Sequence, residues 1–203
     1  MIVLAHGAGS PVTTPFFDAV RDGLLARGLT VVLFHFAYMQ LMAEGASRRP
    51  PDPRPRLLAA WRAMLQKVAG WEGAGAVVIG GRSMGGRMAS HVLAERGPEL
   101  DAADVRGAVY LGFPLHPAKK PATDRAAHLG AIAVPQLFVS GTRDALARAD
   151  LLAGVVSDLG DGARRLSIEG ADHGLARGKA EPLADGPLWL DEIAAFAGQV
   201  AAP

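Results

Sequence analysis

Apolar residues along the chain alternate between two patterns, short unbroken runs and longer stretches in which they recur every three or four positions. The short runs at 2–5, 30–36, 77–81, 108–112, 136–140 and 165–168 predict six strands. The longer stretches at 14–27, 54–68, 86–95, 147–159 and 188–200 predict helices. In the second of these, Leu57, Leu58, Trp61, Met64, Leu65 and Val68 share one helical face. The strands are apolar almost throughout, as burial on both faces requires. Strands alternating with helices imply βαβ units. The expected architecture is therefore a three-layer α/β/α sandwich with a mostly parallel sheet of about six strands, forming one domain over 1–203. No internal repeat or domain boundary interrupts it.

One segment breaks the alternation. Residues 38–55 include Arg48-Arg49-Pro50-Pro51-Asp52-Pro53-Arg54-Pro55, which predicts an irregular connection because proline removes helical donors and clashes with the preceding turn. It reads either as a solvated linker or as a loop at the strand carboxyl ends that walls a binding site. In the second reading Arg48 and Arg49 contact an anionic substrate group.

Composition narrows the classes. The chain has 203 residues, half of them hydrophobic and a fifth charged, with a formal net charge of +1. Nothing in that balance points to nucleic acid or an anionic membrane as a partner. Cysteine is absent, so disulfides, thiolate metal ligands and thiol nucleophiles are excluded together, and a reducing compartment is compatible. The first residues, Met1-Ile2-Val3-Leu4-Ala5, lack the basic start of a signal peptide, and no apolar run reaches the length of a membrane span. A soluble, cytoplasmic protein is expected. Neither G-x-G-x-x-G nor a phosphate-cradling G-x-x-x-x-G-K-[ST] is present, and no H-E-x-x-H or His/Asp cluster suggests a metal. No cofactor is expected.

The chemistry concentrates at Gly81-Arg82-Ser83-Met84-Gly85, entered by Ala76-Val77-Val78-Ile79 and left by a small-residue helical pattern. Strand, G-x-S-x-G, helix resembles the nucleophile elbow of α/β-hydrolases, in which the serine sits on a strained turn that admits little bulk. The bland alternative is a Gly/Ser turn joining strand to helix. A serine nucleophile needs a base, an acid that orients the base, and oxyanion donors. In that family the order is Ser, Asp/Glu, His, with both partners at strand carboxyl ends. Asp144 follows the 136–140 run and His173 follows the 165–168 run. Asp144 also reads as a helix N-cap, and the two roles can coexist. Asp172 is the rival acid, although sequence neighbours seldom meet through the ring. His116, in Phe113-Pro114-Leu115-His116-Pro117, is the rival base and a candidate substrate contact. His6-Gly7-Ala8-Gly9 ends the first strand. There the backbone N–H of Ala8 is expected to join that of Met84 as an oxyanion donor, with His6 locking the turn.

These segments together, with Arg48-Arg49-Pro50-Pro51-Asp52 and Gly141-Thr142-Arg143-Asp144, resemble the small KANL3/Tex30-like, dienelactone-hydrolase-like subgroup of α/β-hydrolases over nearly the whole chain. The resemblance implies a Ser83–Asp144–His173 triad acting on a small ester or thioester through an acyl-enzyme. It also implies departures from larger relatives. The chain is expected to lack the two opening antiparallel strands of larger relatives, serine stands where dienelactone hydrolases use cysteine, and no insertion long enough for a cap separates the fourth and fifth strands. The subgroup includes relatives that look like complex subunits, so the alternative is a non-catalytic scaffold binding a partner or small ligand.

Overall fold

Six strands lie side by side in the order β2-β1-β3-β4-β5-β6, and every pairing is parallel. They are β1 (Ile2–Ala5), β2 (Val31–Phe34), β3 (Val77–Arg82), β4 (Val105–Leu111), β5 (Gln136–Gly141) and β6 (Ala163–Ile168). The structure is a computed structural model describing residues 1–179 and 181–202. The helices are α1 (Pro15–Leu25), α2 (Ala37–Ala43), α3 (Arg54–Ala69), α4 (Met84–Glu95), α5 (Pro98–Ala102), α6 (Ala149–Asp158) and α7 (Gly186–Ala201). Among the described residues no helix is long and apolar enough to cross a membrane.

The period of two along each strand divides the core. Ile2 and Leu4 of β1, Val109 and Leu111 of β4, and Leu137 and Val139 of β5 pack with α1 and α7. The alternate residues Val3, Ala5, Ala108, Tyr110 and Phe138 pack with α3 and α4. Both faces are covered, so the central strands carry unbroken apolar runs, Val77–Ile79 in β3, Ala108–Leu111 in β4 and Leu137–Val139 in β5, with polar residues toward their ends.

Two sequence expectations are corrected. Residues 38–55 are not irregular throughout: their front belongs to α2, because Ala37-Tyr38-Met39-Gln40-Leu41-Met42-Ala43 are good helix formers and proline enters only at Pro50. Asp144 is not a helix N-cap. The next helix begins at Ala149, and Asp144 instead closes a turn, accepting the Leu146 N–H at Oδ1 over 2.7 Å.

Because all strands run the same way, every strand-to-helix loop opens on one edge of the sheet. The chain goes from β1 outward to β2, then returns past β1 to β3, and the crevice of a parallel sheet forms at the carboxyl ends around such a reversal. His6–Gly9, Ser83, Asp144 and His173 all follow strands on that edge.

Candidate active site

Ser83 directly follows β3 and carries φ 51°, ψ −117°, a conformation that costs a non-glycine residue about 1–3 kcal/mol and persists only when its surroundings impose it. The surroundings here are backbone. Gly81 has φ +147°, and a Cβ there would lie 2.2 Å from the Ala5 carbonyl oxygen. A Cβ at Gly85 would lie 2.3 Å from the same atom. The glycines therefore let the elbow press onto β1. Ser83 N–H donates to Leu111 O over 3.0 Å, and the Trp61 indole N–H donates to Gly85 O over 3.3 Å, fixing both sides of the turn.

From Ser83 a continuous chain of hydrogen bonds runs inward. Ser83 Oγ is 2.8 Å from His173 Nε2, and His173 Nδ1 is 2.9 and 2.8 Å from the two Asp144 oxygens. A carboxylate can only accept, so Nδ1 carries the ring proton and Nε2 is left as an acceptor for the serine hydroxyl. The Asp144 side chain is fully buried, whereas the His173 side chain keeps 23% exposure. Asp144 and His173 meet because the loops after β5 and β6 are joined by backbone. Thr142 N–H donates to Ile168 O over 3.0 Å, and Arg143 N–H to Ala171 O over 2.9 Å.

The turn after β1 faces the elbow. Among the described residues, the N–H groups of Ala8 and Met84 donate to no acceptor within the chain, and Met84 opens α4, whose first N–H groups are unpaired by geometry. Fully buried His6 holds this turn. Its Nδ1–H donates to Gly7 O over 2.6 Å and its Nε2 accepts Phe36 N–H over 3.1 Å. Burial lowers its pKa to about 4, so it stays neutral. Tyr38, from α2, donates its hydroxyl to Ala8 O over 2.9 Å, and Asp52 Oδ2 accepts Tyr38 N–H over 3.1 Å. Burial, and secondarily the Asp52 charge, push the Tyr38 phenol up to about 12. Beside the turn a groove of about 380 Å³ is lined by Ala8, Gly9, Met42, Arg48, Arg49 and Pro50. The Arg/Pro segment thus borders the turn after β1.

The other candidates fall elsewhere. His116 is 3% exposed, donates Nδ1–H to Pro117 O over 2.9 Å and accepts Arg148 N–H at Nε2 over 2.9 Å. Neither ring nitrogen is free for a base's work or for a substrate. Asp172 Oδ1 caps its own turn, accepting the N–H groups of Gly174 and Ala176 over 2.7 and 3.2 Å. A second Ser–His contact lies further along α4, with Ser90 Oγ 2.7 Å from His128 Nε2. Ser90 is fully buried and donates its proton to Arg87 O over 2.7 Å, so His128 must be the donor in that pair. Sequence reasoning missed Tyr38, Asp52 and Trp61 as supports of the site. Their contacts span separate elements, and no local spacing signals them.

A family model described as an alpha/beta hydrolase domain matches residues 1–200. Solved structures agree in fold. Est1E from Butyrivibrio proteoclasticus aligns with TM-score 0.70 at 12% identity, covering 100% of this chain and 88% of its own. An alpha-beta serine hydrolase homologue from Coxiella burnetii gives 0.68 at 17% identity, with 100% and 85% covered. The esterase domain of a Rhodothermus marinus protein gives 0.67 at 17%, with 99% and 87% covered. With the parallel sheet, the strained elbow and the family match over nearly its whole length, the chain belongs to the α/β-hydrolase family.

Proposed function

We propose that this protein is a serine hydrolase of small esters or thioesters. The observation that carries the reading is the unbroken chain Ser83 Oγ–His173 Nε2, His173 Nδ1–Asp144. His173 takes the hydroxyl proton as Ser83 Oγ attacks the carbonyl, and the buried Asp144 carboxylate holds the ring tautomer and stabilises the imidazolium. The developing oxyanion accepts the N–H groups of Ala8 and Met84, which need no reorganisation because His6 and Tyr38 already fix the turn. The imidazolium then protonates the leaving alcohol or thiol. Water, activated by the same imidazole, cleaves the acyl-enzyme and restores Ser83.

The substrate is small because little covers the site. Between β4 and β5, among the described residues, regular structure amounts to two single 3₁₀ turns, Asp124–Ala126 and Leu129–Ala131. Turnover is expected to fall from acetate and butyrate esters toward long acyl chains. We place the chain in the KANL3/Tex30-like subgroup on the motifs quoted above, with Arg48 and Arg49 as one wall of the entrance. The test is stoichiometric labelling by a fluorophosphonate, with peptide mapping of the adduct. Modification of Ser83 in the native protein supports the enzyme. A native protein that stays unlabelled, and that hydrolyses no short-chain ester, supports a binding scaffold instead.

A further inference from the structure

The first turns of α4 carry an unusual electrostatic arrangement. Arg87 N–H donates to Ser83 O over 3.0 Å, so Arg87 lies one helical turn from the nucleophile, about 6 Å along the axis. Its Nε is buried without a hydrogen-bond partner. Arg125 approaches from the loop after β4, its Nη1 3.5 Å from Pro114 O. That loop starts at Gly112, where a Cβ would come within 2.7 Å of His173 O. Arg54 stands at the start of α3 and shares Glu95 with Arg62. Among the described residues, neither Arg87 nor Arg125 forms an ion pair with a carboxylate.

Arg54 reaches α4 through Glu95, and Arg125 lies three residues before His128, which is held to Ser90 of α4, so both bring their charge toward the helix that carries Arg87. Arg87 has its pKa lowered by burial first, then by the charges of Arg125 and Arg54. Beneath them His91 and His128 stack with ring centroids 3.7 Å apart. Burial is the main cause that holds these imidazoles down to about 3 and about 4; the His128, Arg54 and Arg87 charges add to it at His91, and at His128 those of Arg87 and Arg54 add to it while Glu95 opposes it. His91 is 6% exposed and its Nε2 has no partner. Glu95 is engaged by Arg54 and Arg62, which leaves Arg87 and Arg125 as like charges in a half-buried place with no carboxylate of their own among the described residues and with an unused donor, a site that lowers its energy by taking up an anion. An ordinary solvated basic face would let these side chains separate into water. Here Arg87 cannot, because its Nε is already inside.

We propose that Arg87 and Arg125, with Arg54 at the rim and the His91–His128 pair behind, form a subsite for an oxyanion-bearing group, a carboxylate or phosphate, on the substrate hydrolysed at Ser83. This rests on the hydrolase reading and refines it, since the preferred substrate becomes an ester or thioester with an anionic end. Ser90 and His128 acquire a role that a second nucleophile reading does not give them. Ser90 ties His128 to the Arg87 carbonyl and so sets the floor of the subsite.

Two measurements test it. The first compares methyl hydrogen glutarate with methyl pentanoate, equal in chain length and differing in the terminal charge, by methanol release. The wild-type ratio of kcat/KM values is expected to favour the anionic ester, and Arg87→Gln or Arg125→Gln to lower that ratio about tenfold. Arg125→Gln lies in a surface turn and carries the test if Arg87→Gln misfolds. A ratio that favours the neutral ester and is unmoved by Arg125→Gln overturns the proposal. The second follows the imidazole resonances of His91 and His128 in Ser83→Ala during titration with glutarate or with inorganic phosphate. Saturable shifts that Arg125→Gln weakens support the subsite, and the tighter of the two anions identifies the group. No binding of either below about 10 mM overturns it. If the anions bind but no ester is turned over through Ser83, the hydrolase reading fails and the subsite stands. If Ser83-dependent turnover is seen without anion binding or preference, the subsite alone fails.

Discussion

Ser83 and Ser90 stand on one helical segment about two turns apart, and each meets an imidazole at hydrogen-bond distance, 2.8 Å to His173 Nε2 and 2.7 Å to His128 Nε2. The first pair has a buried carboxylate behind the ring, so the ring nitrogen facing the serine is a free lone pair. Among the described residues the second has none. Ser90 already donates to a backbone carbonyl, and the ring facing it must donate in turn. Ser83 also sits at φ 51° on the open edge of the sheet, whereas Ser90 is fully buried inside α4. The contrast shows that closeness of serine and histidine does not make a nucleophile. The direction of the hydroxyl proton, set by the third group, is what the proposed function uses to tell a nucleophile–base pair from a structural one.

The comparison breaks most directly at the serines. Ser83→Ala is expected to lower hydrolysis of a short p-nitrophenyl ester by about 10⁴-fold or more, leaving the fold intact. Ser90→Ala should instead cost stability, about 1–3 kcal/mol by thermal melting, because it strands buried partners. If Ser90→Ala is the inactive variant, the assignment of the two pairs is reversed. Asp144→Asn should follow, with a loss of about 10⁴ in turnover, since the amide can favour the ring tautomer that points a proton at Ser83. An Asp144→Asn enzyme retaining a tenth of its activity would remove the carboxylate from the mechanism.

Gly85→Ala tests the elbow that Ser90 lacks. Its new Cβ meets backbone that cannot yield, and a loss of about 3 kcal/mol or more is expected by denaturant unfolding. A variant as stable as the parent would show that the elbow can relax away from β1.

The pH dependence of stability sharpens the same contrast, since His128 belongs to the structural pair. His6, His91 and His128 are held by burial to about 4, 3 and 4, against 6.5 in an unfolded chain. Their folded values are lowered, so the unfolded state binds more protons between those limits and stability rises with pH there. It is complete above 6.5 and is lost as pH falls toward 4. The window between pH 6.5 and about 5 is diagnostic, because ordinary carboxylates are still ionised in it. The melting temperature should fall across this window, and less steeply in His6→Asn. A flat profile there would mean that these rings take up protons without cost. The smallest effect is expected at the entrance, with Arg48→Ala and Arg49→Ala changing KM about two- to fivefold. No change with either a charged or a neutral ester would make the segment a solvated linker.

Periodicity and local spacing carried much of this protein into view. Runs such as Val77-Val78-Ile79 can only be strands covered on both faces, and G-x-S-x-G between a strand and a helix marks an elbow because few other residues tolerate that turn. The positions of Asp144 and His173 after the fifth and sixth strands were legible for the same reason: a parallel sheet sends all such loops to one edge. The helix at Ala37–Ala43 was hidden by the prolines downstream of it. The helix after Asp144 was expected too early because aspartate caps turns and helices with the same side-chain chemistry.

What the sequence determined alone is the layered fold, the strained serine and the edge on which chemistry could occur, since each follows from the geometry of consecutive residues. Tertiary structure decided which histidine faces which serine, because His116, His128 and His173 are separated by their contacts and not by their type. It also decided why Gly85 is needed, through the Ala5 carbonyl contributed by another strand. Arg54, Arg87 and Arg125 came together in the same way. They sit on the start of one helix, the first turn of another and a loop between strands, so no local spacing signals the subsite proposed for them.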